Sequence, residues 1–190
     1  MNVSEIENYF LQKHSDCLQT ISDISYDIDN KTTLCEHKSK LFFSFDDIVK
    51  KYYQSSSITP ASPDMIIFNK SKNLIVLVEF KNGKVKPQNV RIKLLESLLI
   101  TLPKILELSC NDALNKTPIA YLLIYNYDKN QDKNTTIEQI SKDLSSMPIR
   151  FGIDILKNKC IASLKHIKTY PCNHLIYDKL IPYGYKKETK

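Results

Sequence analysis

The stretch that decides the fold runs from residue 63 to residue 81 and reads PDMIIFNKSKNLIVLVEFK. Residues 64–68 and 74–81 are apolar runs of strand length, and the polar residues 69–73 between them predict a hairpin turn. Because the second run is apolar on both faces until its end, we expect a central strand covered on each side. The sequence therefore predicts a buried β-hairpin at the centre of the domain.

Patterns on either side of this hairpin predict helices and further strands. A capping box that starts at Ser4, followed by apolar residues at helical spacing, predicts a helix over residues 4–21. Residues 22–40 show no clear pattern. The other predicted elements are a helix over 45–54 capped by Ser44, a long helix from Pro87 with a bend at Pro103, a strand over 119–125, a helix near 136–145, and strand-like segments over 148–156 and 159–169.

The expected fold class is α/β, with a mixed central β-sheet flanked by helices. We divide the chain into an acidic N-terminal helical segment, residues 1–30, and an α/β domain over residues 31–190. The first segment holds six acidic residues and one lysine, whereas the whole chain of 190 residues has a net charge of +6. We therefore expect the first segment to pack on or cover the core, and the positive field to belong to the domain that follows.

Composition excludes two common nucleotide-binding motifs. The chain contains three glycines, Gly83, Gly152 and Gly184. Neither GxGxxG nor GxxxxGK[ST] can be built from those positions, which excludes a Rossmann fingerprint and a P-loop. The modest basic excess permits nucleic acid as a partner.

Cysteine usage and the absence of long apolar runs predict a cellular location. No uncharged apolar run of membrane-spanning length is present, and residues 1–5 do not resemble a secretory signal, so we expect no membrane partner. Five widely spread cysteines favour reduced thiols in a cytoplasmic or other intracellular, reducing compartment. A zinc site is the alternative, because the chain has two CxH sequences, at residues 35–37 and 172–174.

The residues with the clearest chemical logic lie at the open end of the predicted hairpin. Asp64 begins the first strand, and Glu79 and Lys81 end the second on the same face, because residues i and i+2 of a strand point the same way. Two adjacent carboxylates repel each other unless a cation separates them. A Mg²⁺ ion held there can polarise a phosphoryl group and activate water, and a lysine can stabilise the developing charge. The grouping predicts phosphodiester hydrolysis.

The acid-x-lysine triplet is not specific by itself. It also occurs at residues 29–31, 36–38 and 188–190. Only the triplet at residues 79–81 ends an apolar strand and follows a Pro-Asp pair at hairpin distance. The alternative is an ordinary pair of charged residues at a strand end.

Ser62-Pro63-Asp64, followed after 14 residues by Glu79-Phe80-Lys81, resembles the motif of the PD-(D/E)XK nuclease superfamily. The resemblance covers about residues 45–126 and implies a restriction-endonuclease-like core. It implies that Asp64 and Glu79 bind Mg²⁺ or Mn²⁺, with the Phe80 carbonyl as a further metal ligand. It also implies that Lys81 is the catalytic lysine.

Members of this superfamily often add a metal ligand from an upstream element. Glu36, Asp46 and Asp47 are the candidates for an additional carboxylate, and none stands out in the sequence. Some viral RNA endonucleases of the superfamily use a histidine, which makes His37 a further candidate. A role for His37 would favour manganese as the metal and RNA as the substrate.

Basic residues follow the triplet directly. The 13 residues from 81 to 93 contain five bases and no acid. A solvated basic helix start is the alternative to a phosphate-binding surface. Besides Lys81, the residues expected to contact nucleic-acid phosphates are Lys84, Lys86, Arg91 and Lys93.

These observations predict a Mg²⁺- or Mn²⁺-dependent endonuclease that acts on nucleic acid, with DNA favoured over RNA and a homodimer as a possible assembly. The first alternative is a catalytically inactive nuclease-like module that binds nucleic acid or a protein. The second is a Mn²⁺-dependent RNA endonuclease. The third is a regulatory protein whose acidic residues 1–30 dock a basic partner.

Overall fold

The computed structural model describes residues 2–109, 112, 118–130, 164–172 and 179–187. Its α-helices are α1 (Val3–His14), α2 (Ile21–Ile24), α3 (Phe45–Tyr52), α4 (Pro87–Glu96) and α5 (Leu102–Ile105), with a π turn, Ser97–Thr101, between the last two. Its strands are β1 (Leu18–Thr20), β2 (Tyr26–Asp27), β3 (Thr32–Thr33), β4 (Lys40–Ser44), β5 (Met65–Asn69), β6 (Leu74–Lys81), β7 (Ile119–Tyr125), β8 (Leu164–Pro171) and β9 (Tyr185–Lys186).

Within these described ranges, seven strands form one mixed sheet in the order β1-β4-β5-β6-β7-β8, with β9 also paired to β4. The strands from β1 to β6 pair antiparallel, whereas β6, β7 and β8 pair parallel. The short strands β2 and β3 pair with each other in a separate two-stranded sheet. The predicted α/β class with a mixed central sheet flanked by helices is confirmed.

Strand β6 lies between β5 and β7 and is covered on both faces, as its apolar run predicts. Ile75 and Leu77 pack on one face in a cluster that includes residues of α1, α3 and α4. Val78 and Phe80 pack on the other face, against side chains that include Ile21 of α2. This alternation places Glu79 and Lys81 on the same face as α3 and α4.

The central hairpin has the predicted turn. Met65 pairs with Val78 and Asn69 pairs with Leu74. The Asn69 side chain accepts a hydrogen bond of 3.1 Å from Lys72 N, and Asn73 has a φ of 46°. Asparagine tolerates this left-handed conformation better than most residues, so the turn closes without glycine.

The N-terminal helix differs from the prediction over residues 4–21. Its capping box is formed by Asn2 and Glu5, and α1 ends at His14. A 3₁₀ turn and strand β1 follow, and β1 pairs with β4. The apolar spacing beyond residue 14 is therefore produced by a strand and a second helix, because pairing with the sheet outweighs helical periodicity.

Three other elements refine or extend the sequence predictions. Strand β4 was not predicted, because its short apolar run passes directly into α3, whose N-cap is Ser44 as expected. The helical segment after Pro87 is interrupted by the π turn just before Pro103. The predicted helix near 136–145 and the strand over 148–156 lie outside the described residues, whereas part of the segment over 159–169 belongs to β8.

Cys35 and Cys172 lie side by side, with their Cα atoms 6.2 Å apart, the separation that a disulfide spans. Cys17 is buried. None of the helices in the described ranges is long and apolar enough to cross a membrane.

Candidate functional site

Asp64, immediately before β5, is held by contacts of both its backbone and its side chain. Its carbonyl oxygen accepts a hydrogen bond of 2.9 Å from Phe45 N, the first residue of α3. Its Oδ2 accepts a hydrogen bond of 2.6 Å from Phe80 N. Strand β5 begins opposite Val78, so the side chain of Asp64 satisfies a backbone donor of β6 beyond the end of that pairing.

Glu79 is fully buried at the end of β6, and two lysines neutralise it. Its Oε1 lies 2.9 Å from Lys81 Nζ and 2.9 Å from Lys93 Nζ. Its Oε2 lies 3.0 Å from Lys93 Nζ. A buried carboxylate without a compensating charge is strongly disfavoured, and these two ammonium groups supply that charge to Glu79.

Lys93 contacts both carboxylates. In addition to its contacts with Glu79, its Nζ lies 3.5 Å from Asp64 Oδ1. Burial alone would lower the pKa of this ammonium, but Asp64 and Glu79 outweigh burial and raise the pKa above its ordinary value. The structure therefore gathers two carboxylates and two ammonium groups at one edge of the sheet, a grouping we call the carboxylate–lysine cluster.

The cluster changes the acidity of its members. Burial, and secondly the neighbouring Glu79 carboxylate, raise the pKa of Asp64 to about 7. Tyr121 lies close enough to be affected. Its pKa is raised well above the ordinary value by burial and then by Glu79 and Asp64, which keeps this phenol neutral. Perturbed carboxyl groups of this kind are concentrated at functional sites.

Among the described residues, none of the upstream candidates forms a metal-holding group with Asp64 and Glu79. Asp46 accepts a hydrogen bond of 2.8 Å from Ser62 Oγ and contributes to the raised pKa of Lys93. Asp47 accepts a hydrogen bond from the Gln19 side chain. The remaining two candidates are Glu36, which is exposed, and His37, whose Nε2 lies 2.7 Å from Ser39 Oγ.

A cleft of about 350 Å³ opens beside the cluster. One wall belongs to residues 24–30 and the other to residues 80–89, and Asp64 also lines it. Of the bases predicted to contact phosphates, Lys84 and Lys86 line the cleft and are exposed. Lys93 instead points into the carboxylate–lysine cluster, and Arg91 is half-buried on α4.

Two carboxylates are the number that Mg²⁺ commonly takes from a protein, the other ligands being water and phosphate oxygens. In the described part of the chain, no group of three or more histidine, cysteine, aspartate or glutamate side chains gathers around a metal position. Lys93 contacts both carboxylates, so an incoming cation would compete with its ammonium group. Asp64 and Glu79 are the kind of oxygen ligand that Mg²⁺ takes, and Lys93 already places a positive charge beside both of them.

Comparison of the chain with protein-family models, with curated proteins and with solved structures finds no match in any of the three.

Sequence reasoning brought Asp64, Glu79 and Lys81 to one place, and the structure also places them together. It missed the contact of Lys93 with the carboxylates. A signal for this contact was present, since Lys93 follows the buried Val90 by three residues and therefore lies on the same helix face. It also missed the wall formed by residues 24–30, for which the sequence offered no periodic pattern.

Proposed function

We propose that this protein is a metal-dependent nuclease that hydrolyses phosphodiester bonds of nucleic acid, with DNA favoured as the substrate. The observation that carries the proposal is the fully buried Glu79 beside Asp64 and Lys81, next to an open cleft. Placing the buried Glu79 beside a second carboxylate is costly for stability, and such costly pairs are concentrated at functional sites. The adjoining cleft is lined by Lys81, Lys84 and Lys86, which can meet phosphates.

In this proposal, Asp64 and Glu79 hold Mg²⁺ or Mn²⁺, and the Phe80 carbonyl is the further ligand that the family resemblance implies. When bound, the ion would polarise the phosphoryl group and lower the pKa of a water molecule. Lys81, whose ammonium is already held 2.9 Å from Glu79, stabilises the negative charge that develops during attack.

The nucleic-acid partner is held by its phosphates. Lys84 and Lys86 line the cleft together with Lys81 and supply positive charge to the phosphates of the nucleic-acid backbone. A reducing intracellular compartment suits this activity, and a homodimer is the expected assembly if both strands of a duplex are cut.

The test is a cleavage assay on labelled single- and double-stranded DNA and RNA with Mg²⁺, Mn²⁺ or EDTA. We expect Asp64→Asn, Glu79→Gln and Lys81→Met each to lower the rate at least about 100-fold, as loss of a group that stabilises transition-state charge does. Asp47→Asn is the matched control and should cleave like the unmodified chain. Normal cleavage by all three site variants, or cleavage unaffected by EDTA, would refute the proposal.

One observation favours the inactive binding module as a second candidate. Lys93 already neutralises Asp64 and Glu79, which leaves the cluster without a need for a metal ion. This candidate predicts salt-sensitive binding of nucleic acid with no turnover in Mg²⁺ or Mn²⁺. Binding without cleavage on any of the four substrates would select it.

A further inference from the structure

The cleft beside the carboxylate–lysine cluster has a second wall made by the turn between β2 and β3. Tyr26 pairs with Thr33 at the base of this turn. Asp27 accepts hydrogen bonds from the backbone N and side-chain Nδ2 of Asn30, at 3.1 and 2.7 Å. These bonds shape the turn and, led by the side-chain contact from Asn30, hold the pKa of Asp27 below its ordinary value. Asp27 is therefore ionised at neutral pH.

The two walls of the cleft have opposite character. The wall formed by residues 80–89 carries the ammonium groups of Lys81, Lys84 and Lys86. The lining contributed by residues 24–30 presents Asp27 and Asp29 together with a large aromatic side chain, and Asp27 also interacts with Asn82 of the other segment. That side chain is Tyr26, which lines the cleft and remains 47% exposed.

This polarity matches one strand of nucleic acid better than two. A single strand has phosphates on one side and unpaired bases on the other, so its phosphates can meet the lysines while a base meets the tyrosine. A duplex carries phosphates on both strands, and the second strand would approach the two aspartates with like charge. A cleft of about 350 Å³ is also of the size that holds a small organic group such as one base with its sugar.

We propose that residues 24–30 form a base-binding wall in which Tyr26 stacks on an unpaired base beside the bond to be cut, so that the substrate is single-stranded nucleic acid. The inference names the substrate class of the nuclease site and rests on that proposed function. Aromatic side chains stack on any base, so the wall selects unpaired strands without reading sequence. Asp27 and Asp29 add specificity by disfavouring a second, paired strand.

The test is a binding measurement that does not need cleavage. Fluorescence anisotropy in EDTA compares a labelled 20-nucleotide oligothymidine, the same length with abasic sites, and the corresponding duplex, at one fixed salt concentration. We expect the single strand to bind more tightly than the duplex. Tyr26→Ala should weaken single-strand binding about tenfold, the scale of one base–aromatic stack, and should barely change binding of the abasic strand.

Three variants serve as controls and as a second test. Tyr26→Phe keeps the ring and should bind like the unmodified chain. Ile28→Ala changes the 79% exposed apolar residue of the same turn, which is outside the cleft lining, and should have no effect. Asp29→Asn should raise affinity for the duplex several-fold and leave single-strand affinity within about twofold, because one like charge facing the second strand is lost.

Two results would overturn the inference: tighter binding of duplex than of single strand, or a Tyr26→Ala effect no larger than that of Ile28→Ala. The tests of the two proposals are separable. Single-strand binding that depends on Tyr26, with no cleavage under any metal condition, supports the base-binding wall and refutes the proposed nuclease activity. Metal-dependent cleavage with equal use of single strands and duplexes, unaffected by Tyr26→Ala, supports the activity and refutes the wall.

Discussion

Replacing Lys93 with methionine tests whether its ammonium group stabilises the two carboxylates of the carboxylate–lysine cluster. The substitution keeps an unbranched side chain of similar length and removes the ammonium that contacts Asp64 and Glu79. Glu79 then keeps only Lys81 as a cationic partner among the described residues, and Asp64 keeps its hydrogen bond from Phe80 N. We expect the metal-free variant to be less stable than the unmodified chain at pH 8.

The size of the stability loss expected for Lys93→Met follows from the burial of the ion pairs that Lys93 makes. Removing one partner of a buried ion pair costs about 3–5 kcal/mol, and the Lys93 side chain is 22% exposed, so water reduces the loss to about 2–3 kcal/mol. For a chain of this size, each kcal/mol lowers the melting temperature by about 2–4 °C. The expected fall at pH 8 is therefore about 5–10 °C.

The loss of stability caused by Lys93→Met should increase as the pH rises. Because the pKa of Asp64 is raised to about 7, this group is protonated in the folded protein at pH 5 and ionised at pH 8. At pH 5 the protonated Asp64 no longer needs the ammonium of Lys93, and Lys81 still contacts Glu79. The destabilisation caused by Lys93→Met should therefore be smaller at pH 5 than at pH 8, by up to about 1.4 kcal/mol, and should grow as the pH rises through 7.

The assay is thermal unfolding followed by circular dichroism at pH 5 and pH 8, with and without 10 mM Mg²⁺. Magnesium should stabilise the variant more than the unmodified chain at pH 8, because the ammonium no longer competes with the ion. Lys84→Met is the matched control, since Lys84 is exposed and makes no ion pair with either carboxylate. Equal destabilisation at both pH values, without rescue by Mg²⁺, would show that Lys93 acts only by packing.

Two further substitutions test the site and the fold. Asp64→Asn should raise the free energy of unfolding at pH 8 by on the order of 1–2 kcal/mol, because it removes a carboxyl group whose folded pKa lies above its unfolded value. For the same reason it should flatten the pH dependence of stability between about pH 4 and pH 7. A loss of stability at pH 8 in thermal unfolding would contradict this. Gly184→Ala should cost about 1–3 kcal/mol, since an added Cβ would lie 2.6 Å from the ring of Phe42, whereas Gly83→Ala, with nothing within 4 Å, should cost far less. Equal denaturant midpoints for the two glycine variants would refute that contact.

The elements that sequence alone predicted are those with strong local signals. The apolar runs of β6 and β7 indicate that both are buried strands. The polar turn over residues 69–73 indicates the register of the hairpin formed by β5 and β6. The spacing of Asp64 and Glu79 within that hairpin then places them together. These predictions succeeded because each depends on residues that are close in sequence or on one strand pairing.

Other features depend on contacts between distant segments. Strand β1 forms because it pairs with β4, and no local pattern separates it from a continuation of α1. Lys93 enters the cluster through the packing of α4 on the sheet. The wall formed by residues 24–30 depends on where a short turn meets the end of β6. Tertiary packing decides all three, and the sequence carries little local signal for it.

The measurement that tests the central claim most directly is the initial rate of cleavage of a labelled single-stranded DNA as Mg²⁺ or Mn²⁺ is titrated, for the unmodified chain and for Glu79→Gln. Glu79 is fully buried between Lys81 and Lys93, and glutamine keeps its shape while removing its charge. We predict saturable metal-dependent cleavage by the unmodified chain, with a loss of at least about 100-fold in the variant. Metal-dependent cleavage at the same rate by both proteins would contradict the account.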